Sequence, residues 1–173
     1  FQYVLRLYVY RDKPFVNGFH TAIATEPEQY VDSLGLRIQG VGRPSQALLG
    51  RDEAAGEEFA FTGDSLMLNQ PSSDGFRVLE FQGAGGFGVP MVADARGSGR
   101  RAPGWLSAPL AQANLLVAVK DFWQEHPKHL RLYRNGLLDI GMVSGHGPEH
   151  LDLRSAPFAK EEQASGNSQG MAK

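Results

Sequence analysis

Alternating apolar and polar positions recur along most of the chain and predict a protein built mainly of short strands. The clearest alternation runs from Phe76 to Phe81 and leads into a glycine-rich loop that ends at Gly88. Successive side chains of a strand point to opposite faces, so this spacing is typical of a half-buried strand. Similar stretches occupy residues 2–11, 15–25, 36–41, 59–61, 65–69, 89–93, 130–133 and 137–143. Between the last two, Asn135-Gly136 predicts a tight hairpin.

One segment has the spacing of a helix. From about residue 107 to 126, apolar positions recur every three or four residues and include Phe122 and Trp123. Ser107 is a suitable N-cap, Pro109 suits the first turn and Pro127 marks the end. The predicted fold class is therefore α+β. It consists of a mostly antiparallel sheet with one main amphipathic helix, over about 107–126, packed on one face.

The composition is that of a single globular domain. With 173 residues, of which 42% are hydrophobic, the chain has the length and apolar content for one core. We predict one domain over residues 1–158, followed by a polar and flexible tail over 159–173. No window reaches the ~18 uninterrupted apolar residues that would cross a bilayer, so no membrane span is predicted.

Charge and cysteine content exclude several function classes. The formal net charge is −2, so the chain has no overall basic field for a phosphate backbone, and nucleic acid is not an expected partner. The absence of cysteine removes disulfides, thiolate nucleophiles and iron–sulfur clusters. That absence is compatible with both the cytoplasm and the periplasm, provided that the core is large enough to be stable without disulfides.

The glycines after Phe81, at positions 83, 85 and 88, have the spacing of a dinucleotide-binding turn. Such a turn needs a following helix whose N-terminal amides bind the pyrophosphate. Pro90 and the glycines at 97 and 99 leave no room for that helix. We therefore expect the loop to turn one antiparallel strand into the next, and we predict no cofactor.

The histidines lie beside prolines, which favours turns over a metal-binding helix face. Four of the five lie in two pairs, at 126 and 129 and at 146 and 150, and each pair flanks a proline. Neither pair is therefore expected on one helix face, where two imidazoles could reach the same metal ion. We expect turn and helix-end roles for them, and we predict no metal.

The tetrapeptide at 63–66, Gly-Asp-Ser-Leu, resembles the opening block of the GDSL esterase and lipase family. The resemblance would make Ser65 the nucleophile, with His150 or His146 as the base that accepts its proton. The chain departs from the family pattern in three ways. No helix is predicted between Ser65 and Pro71, no Gly-x-Asn-Asp block follows, and no Asp stands three residues before a histidine. A serine esterase is the alternative function.

An acidic turn lies between Gly50 and the apolar run that resumes at Phe59. Its four carboxylates are those of Asp52, Glu53, Glu57 and Glu58. Paired carboxylates support acid–base chemistry when burial separates their pKa values. Acidic residues beside glycines on a polar loop are usually solvated, so we expect a turn that leads the chain into a strand.

The order of these features resembles the C-terminal domain of the type VI secretion immunity proteins that neutralise phospholipase effectors. The resemblance covers residues 4–134 and consists of four parts. They are the turn at 56–58, the strand at 76–83, the return strand that contains Pro90 and ends at Gly97, and the predicted helix with Trp123 that precedes a Leu-Arg-Leu strand at 130–132. Residues 135–173 depart from the family.

The resemblance implies a periplasmic α+β domain that has no catalytic activity and that inhibits a secreted lipase or phospholipase by occluding it. The expected partner is therefore a protein. Exposed charges and aromatic side chains on loops tend to carry binding, so the expected contacts are loop residues. We predict that these contacts are Asp52, Glu53, Glu57, Glu58 and Phe87.

Overall fold

The part of the chain that the structure describes is almost entirely β-strand. The structure is a computed structural model, and it describes residues 2–23, 30–31, 33–40, 42–52, 56–82, 92–143 and 151–152. Fourteen strands and no helix lie within these ranges. They are β1 (Gln2–Val9), β2 (Val16–Ile23), β3 (Tyr30–Val31), β4 (Leu34–Gln39), β5 (Gln46–Gly50), β6 (Gly56–Ala60), β7 (Ser65–Ser72), β8 (Gly75–Gln82), β9 (Val92–Gly99), β10 (Trp105–Pro109), β11 (Asn114–Ala118), β12 (Lys128–Tyr133), β13 (Leu137–Val143) and β14 (Leu151–Asp152).

Ten of these strands form two antiparallel sheets. The strand order is β4-β13-β12-β7-β8-β9 in the six-stranded sheet and β11-β10-β5-β6 in the four-stranded sheet. β1 and β2 pair with each other as a separate hairpin, and β14 pairs with β3. The prediction of a mostly antiparallel arrangement is confirmed.

The core lies between the two larger sheets. Side chains at alternate positions of the central strands are fully buried in one cluster, so the apolar faces of the two sheets meet as in a β-sandwich. Phe122 joins this cluster from the turn after β11. The six-stranded sheet contributes Leu66, Leu68, Val78, Leu130 and Leu132, and the four-stranded sheet contributes Ala47, Leu49, Leu106 and Ala108.

The amphipathic helix predicted over about 107–126 does not form, and the predicted α+β class is wrong. These residues are described throughout, and they form β10 and β11, which pair as an antiparallel hairpin. Ser107, predicted as the helix N-cap, lies in β10, where it is paired with Leu48 on one side and with Leu116 on the other. The described chain is all-β.

A period of two explains the same apolar positions that suggested a helix. Leu106 and Ala108 are buried two residues apart in β10, and Leu115 and Val117 pack against the core from β11. The three- and four-residue spacing arose from reading across the turn between the two strands. The backbone N–H of Leu110 closes that turn by donating a hydrogen bond to the carbonyl of Ala113 at 2.8 Å.

The hairpin predicted at Asn135-Gly136 is confirmed. β12 and β13 pair in antiparallel fashion around it, and Gly136 has a φ of 88°, which glycine adopts without strain. The Asn135 side-chain carbonyl also accepts a hydrogen bond from the backbone N–H of Leu137 at 3.1 Å. The strand predicted from Phe76 is β8, and β9 returns antiparallel to it. The glycine loop at 83–91 lies outside the described residues.

Two remaining predictions concern membrane insertion and the C-terminal tail. In the ranges that the structure covers, no helix is long and apolar enough to cross a membrane. Residues 159–173, predicted as a polar tail, lie outside the described residues.

Candidate functional site

The β1–β2 hairpin carries most of the exposed apolar surface of the described chain. Ten of the twelve large hydrophobic side chains that are exposed among the described residues lie between Tyr3 and Ile23. The sequence predicted that β1 would be half buried on one face, whereas the structure exposes side chains on both of its faces. Monomeric soluble proteins rarely expose a large contiguous apolar patch unless it binds something. We therefore take this hairpin as the candidate functional site.

The local sequence explains why a hairpin forms here. Both strands are rich in aromatic and β-branched residues, which favour extended backbone. Asp12 has a φ of 59°, a left-handed conformation that Asp tolerates in turns, and the backbone N–H of Lys13 donates to the carbonyl of Tyr10 at 3.3 Å. Beside this turn, the rings of Tyr10 and Phe15 lie 5.5 Å apart. The two strands are thus held in a defined register.

One side of the hairpin is almost wholly apolar, and we call it the apolar face. Partners directly opposite each other in an antiparallel pair share a face, so the register from Tyr3↔Ala22 to Val9↔Val16 defines it. Its large hydrophobic side chains are between 39% and 74% exposed. It carries no Asp, Glu, Lys or Arg. Its eight residues are Tyr3, Leu5, Leu7 and Val9 of β1 and Val16, Gly18, His20 and Ala22 of β2.

The opposite side combines aromatic and polar side chains, and we call it the mixed face. Tyr8 and Phe19 are 47% and 58% exposed, and their rings meet edge to face at 5.4 Å. Arg6 is directly opposite Phe19 in the register and is also exposed. Its eight residues are Gln2, Val4, Arg6 and Tyr8 of β1 and Asn17, Phe19, Thr21 and Ile23 of β2.

The acidic turn that was predicted to contact a partner makes contacts within the chain. The Asp52 carboxylate accepts hydrogen bonds from the backbone N–H groups of Arg100, at 3.0 Å, and Arg101, at 2.8 Å. Glu57 forms an ion pair with Arg51. The Asp52 hydrogen bonds join the end of β5 to the loop that follows β9, whereas the Glu57 ion pair lies within the β5–β6 end of the four-stranded sheet. Asp52 and Glu57 thus make contacts within the chain, and their contact with a partner stays a prediction.

The other predicted contact residues differ in what the structure shows of them. Glu58 is exposed on β6, opposite Leu48 of β5, where it is accessible to a partner. Glu53 and Phe87 lie outside the described residues, so their contacts stay predictions.

Gly50 and Gly56, one on each side of Asp52 and Glu53, make room for a tryptophan. A Cβ atom added to Gly50 or to Gly56 would lie 2.6 Å from the nearest atom of the Trp105 ring. The indole therefore lies across β5 and β6, close to the backbone. These glycines shape the sheet surface, and this packing accounts for their position.

Ser65, the alternative nucleophile, is buried and hydrogen-bonded to an arginine. Its hydroxyl is inaccessible to solvent, and it accepts a hydrogen bond from Nε of Arg131 at 3.0 Å. The guanidinium lies 4.0 Å from the ring centroid of Phe81 and 4.6 Å from that of Tyr133. A guanidinium cannot accept the proton of a serine hydroxyl, so this contact does not activate Ser65. His150 lies outside the described residues, so its pairing with Ser65 stays a prediction.

Burial also affects the ionisation of the arginine beside Ser65. Desolvation lowers the pKa of Arg131, while the charge of Asp139 and the neighbouring Tyr133 act in the opposite direction. An arginine remains protonated at neutral pH even so. Ser65 therefore contacts a protonated guanidinium that itself lies against two aromatic rings. None of these contacts provides Ser65 with a base for acyl transfer.

A buried carboxylate that the sequence did not predict lies close to the Gly-Asp-Ser-Leu segment. The Glu80 side chain is 1% exposed, and it accepts hydrogen bonds from the backbone and hydroxyl of Thr62, both at 2.6 Å, and from the backbone of Gly63 at 2.5 Å. Arg96 forms an ion pair with it. Burial acts to raise the pKa of Glu80, but these hydrogen bonds and the charge of Arg96 lower it below its ordinary value.

A bulge in β9 brings the arginine to this carboxylate. Ala95 and Gly97 pair with consecutive residues of β8, so Arg96 is the extra residue between them. Bulges redirect a side chain at the edge of a sheet. Gly63 is needed here as well, because an added Cβ atom would lie 2.5 Å from the carbonyl oxygen of Phe81. The glycine and the serine of the tetrapeptide thus both have structural roles in the described chain.

The described residues contain no group of three or more His, Asp or Glu side chains that could hold a metal ion. Of the two histidine pairs in the sequence, 126 and 129 are described, whereas 146 and 150 lie outside the described residues. The His129 ring lies over Gly141, where an added Cβ atom would be 2.2 Å from the ring. His129 therefore fills space against the backbone of β13.

No protein-family model matches this chain, and no curated protein matches it in sequence. The resemblance to immunity proteins of phospholipase effectors therefore remains a hypothesis drawn from motif order over residues 4–134. One of its four parts was the helix that contained Trp123. That part corresponds to β10, β11 and the following turn, so the described part of the chain does not have the α+β fold that the resemblance implied.

Proposed function

We propose that this protein is a non-catalytic binding protein whose β1–β2 hairpin docks on a protein partner. The observation that carries the proposal is the concentration of exposed apolar side chains on this one hairpin. A two-stranded hairpin without further packing is marginally stable in water. Binding would bury its apolar side chains and stabilise it. The exposed apolar surface and the low stability of an unpacked hairpin therefore both indicate that this hairpin binds a partner.

The mixed face has the composition of a recognition surface. Protein interfaces are enriched in Tyr, Phe and Arg, and a few such residues usually supply most of the binding energy. Tyr8, Phe19 and Arg6 lie together on this face. Because the Tyr8 and Phe19 rings already contact each other, these two side chains lose less entropy when a partner binds.

The proposed partner is a secreted lipase or phospholipase, which the protein would inhibit in the periplasm by occluding its active site. Support for this partner class comes from the resemblance over residues 4–134. It also comes from the chemistry of the hairpin, since an enzyme that binds acyl chains has an apolar cleft. The exposed Tyr10 and Phe15 at the hairpin turn suit such a cleft. Glu58, which is exposed on β6, is a further proposed contact.

The test uses the lipase or phospholipase encoded beside the gene for this protein. We expect the purified chain to lower the hydrolysis rate of that enzyme in proportion to the complex formed. Replacing both aromatic residues of the mixed face (Tyr8→Ser with Phe19→Ser) should weaken inhibition about tenfold or more. Leu116→Ser is the matched control, because Leu116 is 69% exposed on β11 and lies outside the hairpin.

Three results would contradict the proposal. One is a gene neighbourhood without a lipase or phospholipase. Another is inhibition by the hairpin variant that equals inhibition by the unaltered chain. The third is ester hydrolysis by the chain itself that Ser65→Ala abolishes, which would favour the alternative of a serine esterase.

A further inference from the structure

We infer that the apolar face of the β1–β2 hairpin packs against the same face of a second copy of this chain. The resulting two-fold dimer would bury the apolar faces of both hairpins and leave both mixed faces accessible. The dimer is independent of any other partner. The assignment of partner binding to the mixed face rests on the proposed function.

The absence of charge makes the apolar face suited to contact with itself. In a two-fold interface the same patch is used by both subunits, so a charged side chain near the axis would face its own copy. None of the eight residues of the apolar face is Asp, Glu, Lys or Arg. The mixed face differs, because Arg6 lies in the middle of β1. Self-association is therefore favoured on the apolar face and disfavoured on the mixed face.

The exposed area is close to what a weak dimer needs. The five large hydrophobic residues of this face, exposed by 39% to 74%, correspond to roughly 500 Å² per copy if a fully exposed residue, backbone included, presents about 150–200 Å². The two copies together would then bury about 1,000 Å², at the lower limit for a specific interface. We therefore expect a dimer that dissociates on dilution through the micromolar range.

Side chains of the two strands meet across this face. Leu7 leans over Gly18, and a Cβ atom added to that glycine would touch its side chain at 3.6 Å. The Tyr3 and His20 rings stack with their centroids 5.9 Å apart. The face is therefore tied together across the strands at two positions, near Tyr3 and near Leu7. Two such faces can interdigitate at the separation of about 10 Å that is usual for packed sheets.

Sedimentation velocity from about 1 to about 200 µM chain tests the dimer. We expect concentration-dependent dimerisation of the unaltered chain, and dissociation at least about tenfold more favourable for Leu7→Lys. Thr21→Lys adds the same charge to the opposite face of the same hairpin, and we expect it to dimerise like the unaltered chain. A chain that stays monomeric throughout this range overturns the inference. Equal dimerisation of the two lysine variants also overturns it. That result would mean that the two copies pair along the edges of their strands, which leaves both faces of the hairpin exposed.

Cross-linking tests the same contact without placing a charge in it. The chain contains no cysteine, so a single introduced cysteine is the only thiol. With a short bismaleimide, we expect Leu7→Cys to give a covalent dimer and Thr21→Cys to give none. Equal yields from the two variants would contradict face-to-face packing. If both methods exclude the dimer while Tyr8→Ser with Phe19→Ser still weakens inhibition, this inference fails and the proposed function stands. If the dimer forms but the chain does not inhibit the enzyme, this inference stands and the proposed function fails.

Discussion

Nε of Arg131 on β12 donates a hydrogen bond to the hydroxyl of Ser65 on the neighbouring strand β7, at 3.0 Å and out of contact with solvent. The contact gives Ser65 a structural explanation. A serine that acts as a nucleophile needs a base to accept its proton and space for a substrate. Here the hydroxyl instead accepts a hydrogen bond from the buried guanidinium of Arg131.

Ser65→Ala should therefore lower stability without removing an activity. Losing one hydrogen bond to a charged and buried partner is expected to cost about 1.5–3 kcal/mol in the free energy of unfolding. Denaturant unfolding of the two proteins measures this difference. An assay with short-chain nitrophenyl esters should show no turnover above buffer for either protein. Turnover that disappears in the variant would contradict the structural role.

Glu80→Gln should destabilise the protein in a pH-dependent manner. The pKa of Glu80 is lowered on folding, so its ionised form stabilises the folded state. That contribution is fully present above the unfolded-state pKa of about 4.3, and it is lost as pH falls through the lower folded-state pKa. At neutral pH we expect a loss of about 2–3 kcal/mol, below the range for fully buried pairs because the Arg96 side chain is 31% exposed.

Unfolding free energies of the unaltered chain and of Glu80→Gln, measured from about pH 7 to about pH 3, check this prediction. The difference between the two proteins should shrink on acidification. A difference that stays constant or grows as pH falls would show that the carboxylate is not preferentially ionised in the folded state.

Two glycines with similar backbone conformation should differ strongly in their tolerance of alanine. Gly104 has a φ of 79°, and an added Cβ atom would lie 2.2 Å from Cβ of the buried Phe122. Gly40 has a φ of 88° and no atom within 4 Å of the same position. We expect Gly104→Ala to cost about 3 kcal/mol or more, and Gly40→Ala about 1 kcal/mol from backbone strain alone. Thermal unfolding distinguishes them, and equal melting temperatures would contradict the packing around Phe122.

The sequence predicted strands correctly where the apolar positions fit only a period of two, and it failed where they fit both a strand and a helix. Phe76 and Val78 alternate with polar positions, and only a strand explains them. Over 107–126, the apolar positions of two strands, taken together with the turn between them, have the spacing of a helix. The core contact that resolves the ambiguity, between Leu106 and Leu49 on another strand, is distant in sequence and cannot be read from local pattern.

The buried carboxylate had a signal in the sequence that was overlooked. Glu80 follows Phe76 and Val78 at steps of two, so it continues the face that those side chains bury in the core. An acid in a core register must find donors, and Thr62 and Gly63 supply them. Which residues would do so depends on strand order, and strand order could not be predicted.

The exposure of the β1–β2 hairpin could not be predicted either. Alternation in a strand indicates that one face is apolar, but it does not say what covers that face. The pattern of Leu5 and Leu7 therefore suggested burial within the domain. In the structure both are exposed on a hairpin that forms its own two-stranded sheet.

Hydrogen exchange of residues 2–23 tests most directly whether this hairpin is the binding surface. In the chain alone and at low concentration, its backbone amides should exchange much faster than those of β7 and β12, because a two-stranded hairpin has little packing to protect it. On addition of the lipase or phospholipase encoded beside its gene, we expect protection to rise across β1 and β2 while β7 and β12 stay unchanged. Complex formation that leaves residues 2–23 unprotected and protects another surface would contradict the proposed role of the hairpin.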